Sequence, residues 1–454
     1  MQVRKYRRAG FAGFAAIAVA TLAAAGCSSS TSSSTASTTT PTTSAAAPAT
    51  SAAAAPSASG STGGLGAQSG TDYLSYTGGK SGPADSTLPP VTIGFVNQQG
   101  GQQVIGQHAT DGAEMAVSYI NKELGGVDGH PLKLDTCFIA SAEEEGTGCA
   151  QKFLADKAID VIAMGAVVIG DQSFYATLGG KLPVVGGVAP LPIDGAQKNT
   201  AVLFGDATSV LGPFGTYGKD VLHAKTAAVL YPDTASATPG ALATEAALKA
   251  AGITVKMGPY PENATDLTGV LASTGAATAD MVVPAVAAPD CVNIEKAFQQ
   301  QGITDPKKIV AAPLCLNGQV AAGLGGDFPK WTYLIASSLF GDTTDPGMIE
   351  YMKLAQTYST PANAPDPWNI VDFGQLMTID KILNQVGFAN LSPSAIQSAV
   401  QAFKGPQALG APALECGYNP AAPGVCNNRS QFFEYEGKNK WLKTAGWTQP
   451  IASP

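Results

Sequence analysis

The sequence predicts an α/β protein with parallel sheets, and the stretch Val91–Leu124 shows why. It begins with a short apolar run, Val91–Val96, that is typical of a buried strand, and a Gln- and Gly-rich loop follows at Asn97–Gly106. A helix then carries apolar residues three and four positions apart, which places them on one face. They are Ala113, Ala116, Val117, Ile120 and Leu124. A strand, a loop and a helix in this order form one unit of a parallel sheet.

The same unit recurs in the rest of the first half of the chain. Each predicted strand is a short apolar run, and each predicted helix follows it after a loop with Gly or polar residues. The strands are His130–Ile139, Ile159–Met164 and Leu182–Val185, and the helices are Ala142–Leu154 and Gln172–Gly179. The apolar run Ala201–Phe204 and the segment Gly205–Ser209 are then predicted to lead to a second lobe.

The second lobe is predicted on the same pattern. Its strands are Thr226–Leu230, Thr254–Met257, Met281–Val286 and Lys308–Ala312, and its helices are Gly240–Ala251, a helix from Leu267 and Val292–Gln301. A longer apolar run, Trp331–Phe340, is predicted as the strand on which the chain returns to the first lobe. Helices at Pro346–Tyr358, Trp368–Val386 and Pro393–Phe403 and a last strand at Gln431–Tyr435 complete the prediction.

The composition argues against several classes of function. Only 13% of the 454 residues are charged, the net charge is −8, and no basic block lies beyond the N-terminus, so we expect no nucleic-acid partner. The three His residues lie far apart, and no HExxH, CxxC or GxSxG motif occurs. We therefore expect no metal, no cofactor and no catalytic residues, although a catalytic triad assembled from distant positions leaves no such motif.

The first 27 residues are typical of an export signal. Arg4, Lys5, Arg7 and Arg8 precede an apolar run, and small residues then lead to Cys27. The end of the signal resembles the lipobox of bacterial lipoproteins, which implies that Cys27 carries lipid and anchors the exported protein to the outer face of the cell membrane. Ordinary cleavage after the Ala-rich run is the alternative, and Arg7–Arg8 leave a twin-arginine export route open.

Residues 28–89 are rich in Ser, Thr, Ala, Pro and Gly and almost uncharged. Such a segment buries too little apolar surface to offset its ordering entropy, so we expect a disordered tether. Beyond Cys27, six Cys residues remain, which implies disulfides in an exported chain. Fifteen connectivities exist, and we expect the sequential one, because each pair joins neighbouring predicted elements. The pairs are Cys137–Cys149, Cys291–Cys315 and Cys416–Cys426.

The opening of the folded part resembles the type I periplasmic binding proteins, in particular the branch that binds Leu, Ile and Val. The residues that carry the resemblance are Gly112, Ala113, Ala116, Ile120, Asn121, Gly125, Gly126, Val127 and Gly129. The resemblance implies two Rossmann-like lobes joined by a hinge of three crossings. We assign residues 90–205 and 336–408 to lobe 1, and residues 206–335 and 409–450 to lobe 2. It also implies a disulfide in lobe 1 at the place of Cys137–Cys149.

Ligands of parallel α/β sheets bind outside the carboxyl ends of the strands. The candidate site therefore consists of strand-end loops from both lobes. Lobe 1 contributes Gln98, Gln99, Gly100, Ala166, Val167, Gly187, Val188 and Ala189, and lobe 2 contributes Tyr231, Asp233, Ala287 and Leu314. The same residues also fit ordinary roles, with Val167 as strand-end core and the two Gln side chains as a solvated loop.

The resemblance implies that the loops at Ala166–Ile169 and Gly187–Ala189 hold a ligand α-carboxylate through hydroxyl and backbone groups, and that an acid of lobe 2 holds its ammonium. This sequence has Ala and Val in place of the usual Ser and Thr, and Pro313–Leu314–Cys315 near the position of the acid. We therefore expect a less polar small molecule as ligand.

The resemblance further implies a monomeric solute-binding lipoprotein that delivers its ligand to an ABC permease. A ligand sensor on the same fold that takes no part in transport is the alternative, because fold does not determine function.

Overall fold

The computed structural model describes residues 70–451, except 102–104, 189–190, 207 and 289. The first half of this part alternates strands and helices. Its elements are α1 (Tyr73–Thr77), β1 (Val91–Gln98), α2 (Ile105–Glu123), β2 (Leu132–Ile139), α3 (Glu143–Ala155), β3 (Ile159–Met164), α4 (Asp171–Leu178), β4 (Val184–Gly186), α5 (Pro192–Ala196) and β5 (Thr200–Val202).

The second half begins with the same alternation and ends in a hairpin. Its elements are α6 (Pro213–Asp220), β6 (Thr226–Pro232), α7 (Thr238–Ala250), β7 (Thr254–Tyr260), α8 (Thr268–Thr274), β8 (Met281–Pro284), α9 (Asp290–Gln300), β9 (Val310–Ala311), α10 (Gly318–Gly323), β10 (Thr332–Ile335), α11 (Pro346–Tyr358), α12 (Pro367–Val386), α13 (Pro393–Ala402), β11 (Ser430–Gly437) and β12 (Lys440–Thr448).

The strands form two β-sheets, one in each lobe. The first sheet is parallel throughout, in the order β2-β1-β3-β4-β5. In the second lobe β7-β6-β8 are parallel, and a bridge between Val282 and Ile309 connects them to β9-β10-β11-β12, in which β11 runs antiparallel to its neighbours. The predicted α/β class with two Rossmann-like lobes is therefore confirmed.

Helices α2 and α12 cover one face of the first sheet and pack directly on each other. A glycine makes this approach possible, because a Cβ atom at Gly112 would lie 2.3 Å from the carbonyl oxygen of Asn369. The opposite face is covered by α3 and α4 through Phe153 and Phe174. The two faces explain why the strands between them read as continuous apolar runs rather than as alternating ones.

The predicted tether is wrong for its last twenty residues, whereas residues 28–69 and the signal peptide lie outside the described residues. Helix α1 is capped by Asp72, and its Tyr73 is only 2% exposed. The Tyr73 ring packs edge-on against Tyr119 and Phe373. The prediction extended the biased composition of residues 28–69 to residues 70–89 and so overlooked Tyr73. Burial of the Tyr73 ring removes enough apolar surface from water to fold residues 70–89 onto the first core.

Two connections between the lobes also differ from the prediction. The run Trp331–Phe340 does not enter the first sheet, because β10 pairs in parallel with β9 and antiparallel with β11. The third crossing comes later than residue 409, since Ala411, Leu414 and Cys426 belong to the first core. The chain crosses after β5, after β10 and again just before β11, which gives the three crossings.

The structure contains the three disulfides of the sequential pairing. Cys137–Cys149 joins β2 to α3, Cys291–Cys315 joins α9 to the loop after β9, and Cys416–Cys426 closes the loop before β11. Strand β12, by contrast, was not predicted. Its side chains are mostly half-exposed, so its apolar residues do not form a recognisable run.

Candidate ligand cleft

The carboxyl ends of the parallel strands define the candidate cleft. On the first sheet these are the ends of β1, β3 and β4, and on the second sheet those of β6, β8 and β9. Within the described residues, no hydrogen bond or ion pair joins the first set of loops to the second. The two sets of loops form the two walls of the candidate cleft, and each wall is held in place by contacts within its own lobe.

The loop after β1 is fixed by side-chain amides. Gln98 is 3% exposed, and its Oε1 accepts a hydrogen bond of 2.9 Å from the backbone N–H of Val168. Gln99 is half-buried; its Nε2 donates to Gln107, and its Oε1 accepts from the Thr110 hydroxyl. Gly100 is exposed at the turn, where its φ of +98° suits glycine. Both Gln side chains thus brace the loop against its own lobe.

The loops after β3 and β4 place apolar groups at the edge of the sheet. Ala166 and Val167 are buried, whereas the neighbouring Val168 is 38% exposed. Gly187 is buried and Val188 is half-buried, and Ala189 lies outside the described residues. Of this set, Val168 and Val188 are the side chains with exposed surface.

The second lobe presents a similar wall. Leu314 is 58% exposed, although the next residue, Cys315, is buried and bonded to α9. Asp233 and Ala287 are exposed at the neighbouring strand ends. Tyr231, in contrast, is 8% exposed and packs in the core of its lobe. Tyr231 therefore supports the wall and offers little surface of its own.

Helix α12 contributes residues that the sequence analysis did not include. Gln375 is buried, and its Nε2 donates to the carbonyl oxygens of Met164 and Val185 at 3.2 and 2.7 Å, so it connects α12 to the ends of β3 and β4. Val371 lies against Gly187. Trp368 is half-buried and stands seven residues before Gln375, which places it on the same helix face. This stripe of i, i+3 and i+7 residues was visible in the sequence, but the fold alone shows that it faces the strand ends.

Backbone N–H groups at this edge are bound by the protein's own acids. Both carboxylate oxygens of Glu143 accept hydrogen bonds at the start of α4, from the N–H groups of Gly170 and Ser173, each at 2.8 Å. These bonds lower the pKa of the Glu143 carboxyl below its usual range. Glu145 accepts in the same way from the N–H groups of residues 140–142, which also lowers its pKa.

A buried pair of acids lies behind the same edge. Burial and the neighbouring carboxyl of Asp194 raise the pKa of Asp171 to about 8, and burial raises the pKa of Asp194 to about 6. Two neighbouring carboxyls that are shielded from water do not both ionise readily, so at neutral pH one of them keeps its proton. Tyr175 and Glu143 also face this pair.

The described part of the chain offers no cluster of three or more His, Cys, Asp or Glu residues that could hold a metal ion. Nor does any helix in the described ranges have the length and hydropathy needed to cross a membrane.

Solved structures of similar fold cover most of the chain. A leucine binding protein from Thermotoga maritima has a TM-score of 0.60 and 14% identity, over 79% of this chain and 99% of that one. A branched-chain amino-acid transporter substrate binding protein from Streptococcus pneumoniae, in complex with isoleucine, has a TM-score of 0.58 and 14% identity, over 78% and 99%. A solute binding protein from R. palustris, in complex with 4-hydroxybenzoate, has a TM-score of 0.59 and 16% identity, over 80% and 98%.

No curated protein matches the chain in sequence. The sequence model of the family described as "Periplasmic binding protein" does match, over residues 90–419. This range includes all strands of the first sheet and every helix from α2 to α13. Because the match extends over most of the folded chain, and the two-lobe architecture agrees with it, the chain belongs to the periplasmic binding protein family.

Proposed function

We propose that the chain is an extracytoplasmic solute-binding protein that captures a small molecule between its lobes and delivers it to an ABC importer. The observation that carries this proposal is the exposure of Val168 and Leu314 at the carboxyl edges of the two sheets. Six large apolar side chains of the described residues are exposed, and Val168 and Leu314 are the two of them that lie in the strand-end loops. Closure of the lobes over an apolar ligand would bury both.

The ligand is a small molecule with an apolar body. The apolar residues with exposed surface at these strand ends are Val168 and Val188 from one lobe and Ala287 and Leu314 from the other, beside the exposed Asp233. The solute binding proteins of similar fold include one in complex with isoleucine and one in complex with 4-hydroxybenzoate, and both of those ligands carry an apolar body. Trp368, on the stripe of α12 that faces the strand ends, adds an aromatic surface.

Ligand capture is tested by native mass spectrometry of the exported protein, followed by calorimetric titration with the molecule that co-purifies. We expect Leu314→Asp to weaken binding at least about tenfold, because closure would bury a carboxylate against an apolar ligand, which costs more than about 1.4 kcal/mol. Leu442→Asp is the matched control, since Leu442 is 49% exposed on β12, away from the strand-end loops. Equal losses from the two variants would contradict this cleft as the binding site.

We further propose that the protein is held at the outer face of the cell membrane by lipid on Cys27. The support is the N-terminal signal and the small residues before Cys27. We expect mass spectrometry of the mature N-terminal peptide to show a diacylglycerol-modified Cys27. A mature protein that begins elsewhere, with no lipid, would contradict the anchor and leave the ligand proposal untouched.

A further inference from the structure

We propose that the cleft selects a ligand with an uncharged polar group on its apolar body and rejects free carboxylates, because the protein's own side chains occupy the anion-binding N–H groups at the edge of the first sheet. This inference rests on the proposed function and specifies the chemical class of the solute. It departs from the carboxylate ligands, isoleucine and 4-hydroxybenzoate, found in two proteins of similar fold.

The start of α4 is the natural place for a ligand anion in this fold. Helix N-termini that follow the strands of a parallel sheet bind anions through free N–H groups and the helix dipole. Here Glu143 already takes two of those N–H groups, those of Gly170 and Ser173. A ligand carboxylate at this position would have to displace a fixed carboxylate or lie beside it, and like charges repel.

At other strand ends of the first sheet, backbone N–H groups also donate to side chains of the protein itself. The N–H of Val168, after β3, donates to Gln98. The N–H of Leu191, after β4, donates to Asp194 at 3.1 Å. After β2, Glu145 accepts from three successive N–H groups. Backbone N–H groups after three strands, β2, β3 and β4, therefore already donate to an amide or carboxylate oxygen of the same lobe.

The strand-end loops also carry no cation that could replace these donors. No Lys or Arg occurs in the sequence of the loops after β1, β3, β4, β6, β8 or β9, which are residues 99–104, 165–170, 187–191, 233–237, 285–289 and 312–317. The nearby His108 lies 3.9 Å from the carboxylate of Asp366. A carboxylate that left water for this cleft would lose its hydration and gain no opposite charge, which is strongly unfavourable.

An uncharged polar group of the ligand, by contrast, can form hydrogen bonds at the same edge of the sheet. Among the described residues at this edge, three buried amide atoms have no hydrogen-bond partner: Nε2 of Gln98, Oδ1 of Asn97 and Oε1 of Gln375. The first is a donor and the other two are acceptors. Leaving such atoms unpaired in the native state is unfavourable. An amide or alcohol of the ligand can satisfy donors and acceptors alike, once the side chains that cover these atoms move aside.

The test is a competition with matched ligands. The exported protein is dialysed against an equimolar mixture of 3-methylbutanoate, 3-methylbutanamide and 3-methylbutylamine, together with benzoate, benzamide and benzylamine. Retained molecules are then counted by mass spectrometry. We expect the two amides to be enriched at least about tenfold over the matching acids, which corresponds to about 1.4 kcal/mol. Enrichment of an acid or an amine would overturn the inference and leave the proposed function intact. Retention of none of the six would instead count against an apolar small-molecule solute, and so against the proposed function itself.

A pair of variants tests the cause of the selection. Glu143→Gln removes the charge at α4 and leaves Gln98 in place, so we expect the preference for amide over acid to fall at least fivefold. Glu144→Gln removes the same charge from an exposed neighbour that makes no hydrogen bond to α4 in the described structure, and should leave the preference unchanged. Equal effects of Glu144→Gln and Glu143→Gln would show a general charge effect and overturn the assignment.

Discussion

Tyr73→Ala is expected to destabilise the protein by about 3–5 kcal/mol, the range for removing a buried aromatic ring. Tyr73 is 2% exposed and makes edge-on contacts with Tyr76, Tyr119 and Phe373 at centroid distances of 6.0–6.3 Å. The substitution leaves a cavity between α1, α2 and α12, the three helices that meet there. Urea unfolding of the exported protein, followed by circular dichroism, measures the free energy.

Tyr73→Phe is the control, because it keeps the ring and loses only a hydroxyl that donates to the Gly347 carbonyl at 3.4 Å. We expect a loss of less than about 1 kcal/mol from it. If Tyr73→Ala unfolded at the same urea concentration as the wild type, residues 70–89 would be a dispensable part of the tether. The expected result instead makes them part of the first lobe.

Asp171→Asn is expected to stabilise the protein by about 2–4 kcal/mol at pH 8 and to have little effect near pH 4. Asp171 is fully buried, and burial next to Asp194 raises its pKa to about 8, well above that of an unfolded aspartate. Between pH 4 and pH 8 the native state holds a proton that the unfolded chain has released. The wild type therefore loses stability as the pH rises through this range.

The amide that replaces the Asp171 carboxyl in this variant carries no charge and can donate to the Asp194 carboxylate, so the variant should show a flatter stability profile. Urea unfolding at pH 4, 6 and 8 gives that profile. Asp220→Asn is the control at an exposed aspartate near the end of α6, and we expect it to follow the wild type. If Asp171→Asn showed the same pH dependence as the wild type, Asp171 would be charged in the native state.

Much of the fold was predictable because its elements are strongly periodic. Strand β3 and helix α11 have the predicted bounds, and most other elements differ by a few residues at their ends. These elements are buried on one face or on both, and the spacing of their apolar residues in the sequence follows from that burial. The element β12 was missed because its residues are neither buried nor regularly alternating.

The position of each element in the fold was harder to predict. The apolar run that contains β10 fits either lobe, and only its pairing with β9 and β11 decides the choice. Helix α1 was missed because five residues carry too little periodicity to be recognised. Its aromatic contacts come from α2 and α12, far along the chain.

For the candidate cleft, the strand-end positions were predictable from the sequence and the side-chain contacts were not. The sequence placed Gln98, Val167 and Leu314 at strand ends, where ligands of this class of fold bind. It did not show that Gln98 turns towards Val168, that Glu143 caps α4, or that Gln375 binds the ends of β3 and β4. These contacts join residues 27 to 211 positions apart, so no local pattern carries them.

The sequence by itself determined the α/β class and the repeated strand and helix units, and it placed apolar residues at the strand ends. The expected pairing of the Cys residues agrees with the structure. Each of these follows from residues close together in the chain, through spacing or composition. The tertiary structure decided the order of strands in the second sheet, the fold of residues 70–89 and the occupation of the N–H groups at the cleft. Those depend on contacts between distant segments, which form only when the packed cores bring the segments together.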